Sequence, residues 1–410
     1  MLRRMERRWL RRFALSLGPA ALLCAFGCSG AGSAPSEPPG TGKLSFLNSS
    51  NPATNPFPQS IAVADFNGDG KLDLAVPVYS IFTPLGDMSI LLGNGDGTFT
   101  AGPTFVLVGQ NVNNAVVADF NGDGKPDLAI SLPDANEVQV LLGNGDATFT
   151  AMPAISVPGV FVVATGDFNG DGKADLVVVN PGPNTVTILL GNGDGTFTEK
   201  ATIAVAGGPQ SIALGDFNGD GKSDLAVVSY SSGTVAVLLG NGDGTFTEAA
   251  SSSQAGFQPV SVAAADFNGD GKLDLVVTCL NGGAPGLGTV TVLLGNGDGT
   301  FTATATSPVP GSNPASVAVA DFNGDGKPDL IIANAGSNTL SVLLGNGDGT
   351  FAAALTPAAG IDPLFVAVGD FNGDGVPDLA AANNSTSSLT VLLTQHGQAA
   401  MAAAWPASGR

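Results

Sequence analysis

Short runs of small and branched apolar residues recur along this chain, each closed by a polar segment rich in Asp, Asn and Gly. Near the middle the order is SIALG from Ser211, DFNGDGKSD from Asp216, LAVVS from Leu225, TVAVLLG from Thr234 and NGDGTF from Asn241. Apolar stretches of this length, rich in Val, Ile and Leu and bounded by turn formers, predict strands. The unit therefore reads as four short strands. The DFNGDG segment joins the first to the second, a variable loop joins the second to the third, and an Asn-Gly hairpin leads to a fourth strand opening at Thr-Phe.

The decapeptide DFNGDGKLDL at Asp65 recurs from Asp119, Asp167, Asp216, Asp266, Asp321 and Asp370, and LLGNGDGTF follows it at Leu91, Leu141 (with Ala147 for a Gly), Leu189, Leu238, Leu293 and Leu343. Repeats of 48 to 55 residues with four strands each predict an all-β, seven-bladed β-propeller over residues 43–393. The seventh copy ends LTVLLTQ and lacks GNGDGTF, so its fourth strand is missing. Phe46 lies 19 residues before Asp65, and the six Thr-Phe phenylalanines lie 18 to 20 before their next loop. The chain's first strand is thus expected to complete the last blade and remove a free sheet edge. Phe at the second loop position and at the start of the fourth strand are expected to be packing residues.

Each decapeptide spaces oxygen donors as a calcium loop does. Position one is Asp65, Asp119, Asp167, Asp216, Asp266, Asp321 or Asp370, and position three is Asn67, Asn121, Asn169, Asn218, Asn268, Asn323 or Asn372. Position five is Asp69, Asp123, Asp171, Asp220, Asp270, Asp325 or Asp374, and position nine is Asp73, Asp127, Asp175, Asp224, Asp274, Asp329 or Asp378. Ca²⁺ takes about six to eight oxygens, one of them the backbone carbonyl at position seven. That position holds Lys71, Lys125, Lys173, Lys222, Lys272, Lys327 and Val376, and the valine is tolerable only if the backbone binds. A plain polar turn does not need three carboxylates at fixed offsets, and crowding them without a cation is repulsive. About seven Ca²⁺ per chain are expected. EF-hands, dockerins and thrombospondin type 3 repeats share the spacing, but an EF-hand needs a Glu at position twelve and flanking helices, whereas LAVPV, LVVVN and LIIAN here read as strands, and no Cys lies in any loop to staple a repeat.

With these two motifs the chain resembles the FG-GAP/VCBS repeat family, whose calcium-loop propellers include the integrin α-subunit head. The resemblance implies fold and metal far more than role, because the family spreads over adhesion proteins, ligand-binding modules and enzyme appendages.

Residues 1–27 read as a signal peptide, with six arginines followed by an apolar run from Phe13 to Phe26 that is too short to span a bilayer comfortably. AFGCS resembles a lipobox, making Cys28 the expected lipidation site and anchor, with an ordinary cleaved signal peptide as the alternative; both general and twin-arginine export stay open. Residues 28–42 are a Ser/Gly/Pro tether and 394–410 a flexible tail. The expected location is the cell envelope or surface.

Formal charge is −20, and loss of six Arg and one Glu with the signal makes it −25. Calcium loops hold 21 of the mature chain's carboxylates and NGD turns six, so seven Ca²⁺ would bring the charge to about −11. No basic patch for nucleic acid exists. Cys279 is left without a partner, and calcium takes the stabilising place of disulfides.

Nothing in the sequence makes an active site. The lone His396 lies in the tail, and Asp87, Asp134, Glu137, Glu199, Glu248 and Asp362 read as solvated surface charges. Tyr79 and Tyr230 both fall six residues after the ninth-position Asp, in loops on the face opposite the calcium loops. On that face the loops of blades one and five are longer than the rest, around residues 80–86 and 282–287, segments expected outside any strand. The expected function is a monomeric, non-catalytic binding or adhesion module for a protein or polysaccharide, contacting it through Tyr79 and Tyr230. The alternatives are a structural spacer and a polysaccharide-active enzyme.

Overall fold

Each predicted unit folds into an antiparallel blade in the computed structural model, which describes residues 44–79, 85–108, 111–249, 253–280, 288–304 and 311–396. Seven sheets result. Blade four is typical, with strands Pro209–Gly215, Asp224–Ser229, Thr234–Gly240 and Phe246–Glu248, and Ser253–Gln254 returning beside the third. The second strand of every blade is buried at all six positions, because neighbouring blades cover both of its faces. That two-sided burial is why LAVV and LVVV are continuous apolar runs and do not alternate. Fourth strands such as Phe197–Ala204 lie at the rim and alternate toward solvent.

The ring closes as the spacing predicts. Leu44–Ser50 pairs with Ser388–His396 in the last blade, with Phe46 opposite Thr394. Around the ring, the second-position Phe of one blade meets the fourth-strand Phe of the next edge to face, at 5.4 to 5.8 Å between centroids. The seventh such pair is Phe46 with Phe322 at 6.4 Å. T-shaped pairs add about 0.5–1.5 kcal/mol each beyond area burial, so the N-terminal strand contributes the same joint as every internal one.

A second joint accompanies the first. The Gly244 N–H in the blade-four hairpin turn donates to Phe168 C=O in blade three at 2.9 Å, and the same bond recurs at Gly97, Ala147, Gly195, Gly299 and Gly349. Ala147, at φ 64°, keeps the left-handed conformation that Gly supplies elsewhere, and it is buried.

Two boundaries differ from the sequence reading. His396 is paired with Leu44 inside the closing sheet, so it belongs to the last strand and not to a tail. Leu85 and Gly86, read as loop, begin the strand Leu85–Gly93 opposite Val108 and Leu107. Pairing beyond the repeat's usual length extends both strands. The signal peptide, Cys28, the tether, residues 397–410 and the loop residues 80–84 and 281–287 lie outside the described residues.

Candidate metal loops and the opposite face

In each DFNGDG loop the polar side chains first satisfy the loop's own backbone. In blade four, Asp216 Oδ1 accepts N–H groups of Gly219 (2.7 Å) and Asp220 (3.1 Å), and Oδ2 accepts that of Gly221 (2.8 Å). Asn218 Oδ1 takes the Asp220 N–H at 2.9 Å, and Asp220 Oδ1 takes the Lys222 N–H at 3.0 Å. Gly219 and Gly221 sit at φ +77° and +80°, where an L side chain is strained, and the latter is the sixth-position Gly that a calcium loop uses for its sharp turn.

The ninth-position Asp has a distinct task. Asp224 is fully buried; its Oδ2 accepts the Phe217 N–H at 2.9 Å and its Oδ1 the Gly240 N–H at 2.7 Å, stapling the loop to the end of the third strand. The same pair of bonds occurs in all seven blades, with Thr394 replacing the Gly in the last. Burial pushes these carboxyls up from the usual range, against the two N–H bonds that lower them, and the charges of the first- and fifth-position Asp raise them further. Asp329 and Asp378 are pushed up to about 6.

No three His, Cys, Asp or Glu side chains among the described residues converge into a ready-made cluster. The carboxylates are turned onto amides, and the remaining donors of the set are an Asn and a carbonyl. The donor chemistry nonetheless fits a hard cation: every donor is oxygen, the third-, fifth- and ninth-position acceptors keep further lone-pair capacity, and the half-buried or exposed first- and fifth-position carboxylates lie close enough to the buried ninth to oppose its charge.

The seventh-position lysine is explained by packing. Its stem lies over the glycine of its own blade's hairpin, as Lys222 over Gly242, and its ammonium stands 3.2 to 3.9 Å from the fifth-position Asp in five loops. Blade seven has no such hairpin, and Val376 stands there instead. In the hairpins Asp243 Oδ1 accepts the Thr245 hydroxyl (2.6 Å) and N–H (2.9 Å), which hold its carboxyl below the usual range. These turns are internally satisfied scaffolding.

Topology sorts the charge onto one face. The DFNGDG loops and hairpins carry 27 Asp and six Lys on the first face. Among the described residues, the loops of the second face hold two charged residues, Asp134 and Asp362, and no Lys, Arg or His. Burial raises the Asp134 carboxyl.

On this second face Tyr79 packs against Phe57, centroids 6.4 Å apart, on blade one. Tyr230, half-buried against the core, lines a cleft of about 450 Å³ with Ser231, Gly233, Gln254, Phe257 and Gln258. The structure therefore does not bring the two tyrosines together: they stand on different blades. Phe257, Gln254 and Gln258 were not legible as site residues. The available signal was positional, since nine residues before the loop's first Asp other blades have Pro56, Gln110, Pro158, Gly207, Ser312 and Ile361 where this connection has Phe257.

The FG-GAP-like repeat profile matches residues 78–130, 119–178, 167–227, 216–277, 280–332 and 321–381, and the FG-GAP repeat profile matches residues 57–80. Phosphatidylinositol-glycan-specific phospholipase D from Homo sapiens and from Bos taurus are each 34% identical over 86 residues, 19% of this chain and 10% of the relative. The chain thus spans about a tenth of the length of those curated relatives. Among solved structures, BBS1N in complex with ARL6DN, soaked with mercury, aligns at TM-score 0.61 and 15% identity over 85% of this chain and 96% of that one. A protein from Lactobacillus plantarum aligns at TM-score 0.58 and 14% identity over 75% and 86%. At such identities the likeness concerns the fold alone.

Proposed function

The chain belongs to the FG-GAP repeat family, and we propose that it is a calcium-stabilised, exported, non-catalytic module that binds a protein or polysaccharide partner through its second face. The observation that carries this reading is the separation of charge. Acidic repeats with internally satisfied side chains occupy one face, while the described loops of the other carry only Asp134 and Asp362 as charges and include an open cleft holding Tyr230. Loops supported on a rigid repeat scaffold are where such folds place contacts.

Calcium would be held by the side chains at positions one, three, five and nine and the carbonyl at seven. It would supply positive charge among crowded carboxylates and cross-link each loop. Placement at the cell surface, through lipidated Cys28, is part of the same proposal. Among its described residues the second face offers no His and no paired carboxylates for acid-base chemistry. The phospholipase relatives share too little of their length to transfer an activity.

Affinity capture from a cell-envelope extract tests the function. A partner should be retained by the wild type and lost when residues 80–84 and 282–287 are shortened together with Tyr230→Ala. Capture that survives those changes but is lost on altering the NGD turns would move the function to the acidic face. No partner under any condition would leave a structural spacer.

A further inference from the structure

We propose that the cleft between Tyr230 and Phe257 is a subsite for an uncharged saccharide unit of a glycan chain, an inference that rests on the second face being the binding face. Phe257 is 61% exposed, which leaves much of a large ring in contact with water. An aromatic face is the surface on which the C–H side of a pyranose can lie, burying apolar area without demanding charge. Beside it Gln254 brings an amide to the same cleft, and Ser231 a hydroxyl. An amide offers a donor and an acceptor side by side, the pattern that neighbouring sugar hydroxyls complement.

Among the described residues the lining carries no charge. In a molecule of formal charge −20, an anionic glycan would be repelled without any local compensation. The volume of about 450 Å³ lies within the range of small-ligand sites, and the cleft is open, so a chain can continue past it. A protein partner is less well served here. Large exposed apolar residues described on this face are Phe257 and Ile361, which occupy equivalent positions in connections two blades apart and so do not form the contiguous apolar centre of an interface.

The cleft is also preorganised. Gln258 stands at φ 53°, as do its equivalents Phe57 (59°), Asn313 (50°) and Asp362 (61°), so this backbone conformation belongs to the scaffold. Its carbonyl accepts the Leu280 N–H at 3.1 Å. Gln254 is held alongside Thr234 by the short return strand. Across the cleft the Tyr230 N–H donates to Gly208 C=O at 2.9 Å, so Tyr230 and Phe257, 27 residues apart, stand on separately anchored backbone.

Affinity gel electrophoresis of the full chain tests this, with gels containing dextran, hydroxyethyl cellulose or galactomannan as neutral polymers and alginate as the anionic one. The wild type should be retarded by at least one neutral polymer and not by alginate. Phe257→Ala should weaken that affinity by about tenfold or more, Phe257→Tyr should keep it, and Leu47→Ala, at the rim, should leave it unchanged. Unchanged circular dichroism melting shows that Phe257→Ala is folded, as its exposure predicts. Absence of retardation by every neutral polymer, or retardation that Phe257→Ala leaves intact, overturns the saccharide assignment. If Phe257→Ala instead abolishes capture of an envelope protein, the saccharide falls while the second-face reading stands. If only NGD-turn variants lose binding, both fall.

Discussion

Replacing Asp224 by Ala separates the two tasks that a loop carboxylate can have. Asp224 is fully buried and accepts the Phe217 and Gly240 N–H groups at 2.9 and 2.7 Å. Truncation leaves both donors buried with no acceptor, and each costs about 1–3 kcal/mol, so the sum is about 2–6 kcal/mol without any metal. Burial already raises the Asp224 carboxyl, so removing it also relieves a desolvated group and draws the net toward the lower half of that range. Asp220 is the matched control. It is exposed, and it accepts one N–H from Lys222 besides its weak contact with that ammonium. Asp220→Ala should therefore be nearly silent in chelator and act only when calcium is present, through the loss of a ligand. Urea unfolding followed by far-ultraviolet circular dichroism, with chelator and with excess Ca²⁺, reads both. Equal destabilisation by the two variants in chelator would refute the staple and reduce the ninth position to a metal ligand like the fifth.

Three further outcomes are expected. Metal analysis of the protein after dialysis against Ca²⁺ should find about seven ions per chain with poor replacement by Mg²⁺, which demands a smaller octahedral shell; two or fewer would remove calcium from the account. Cys28→Ser should release the protein from the membrane fraction or leave its precursor uncleaved, and a wild type that is already soluble and begins elsewhere excludes the lipid anchor. Cys279 is buried, and burial pushes its thiol from 9.0 up to about 11. Its contribution to stability should be complete below pH 9.0 and be lost as pH rises through about 11, since the folded state holds the proton more tightly. Peptide mapping after alkylation near neutral pH should find Cys279 unmodified until urea is added; rapid native labelling would contradict its burial.

Much of this architecture was legible because it is written in contiguous residues. Turn chemistry is local, so NGD and DFNGDG announce their own backbone conformations, and their recurrence counts the blades. The spacing of Phe46 to Asp65 even located the closing strand, since a repeat that lacks its last segment must find it elsewhere. Residue spacing also set out the oxygen donors on which the calcium proposal rests. Other properties arise only when distant segments meet. The ninth-position Asp has the spacing of a ligand, yet its two amide partners include Gly240, sixteen residues beyond it. Lys222 has no evident task until the hairpin glycine Gly242 folds beneath it, which is also why blade seven can carry Val376. His396 became part of a strand only because Leu44, at the other end of the propeller, pairs with it. Above all, Phe257 is an ordinary apolar residue in the sequence. Its exposure beside Tyr230 is decided by ring geometry, which lays one blade's loop against the connection to the next and so creates a surface that neither segment encodes alone.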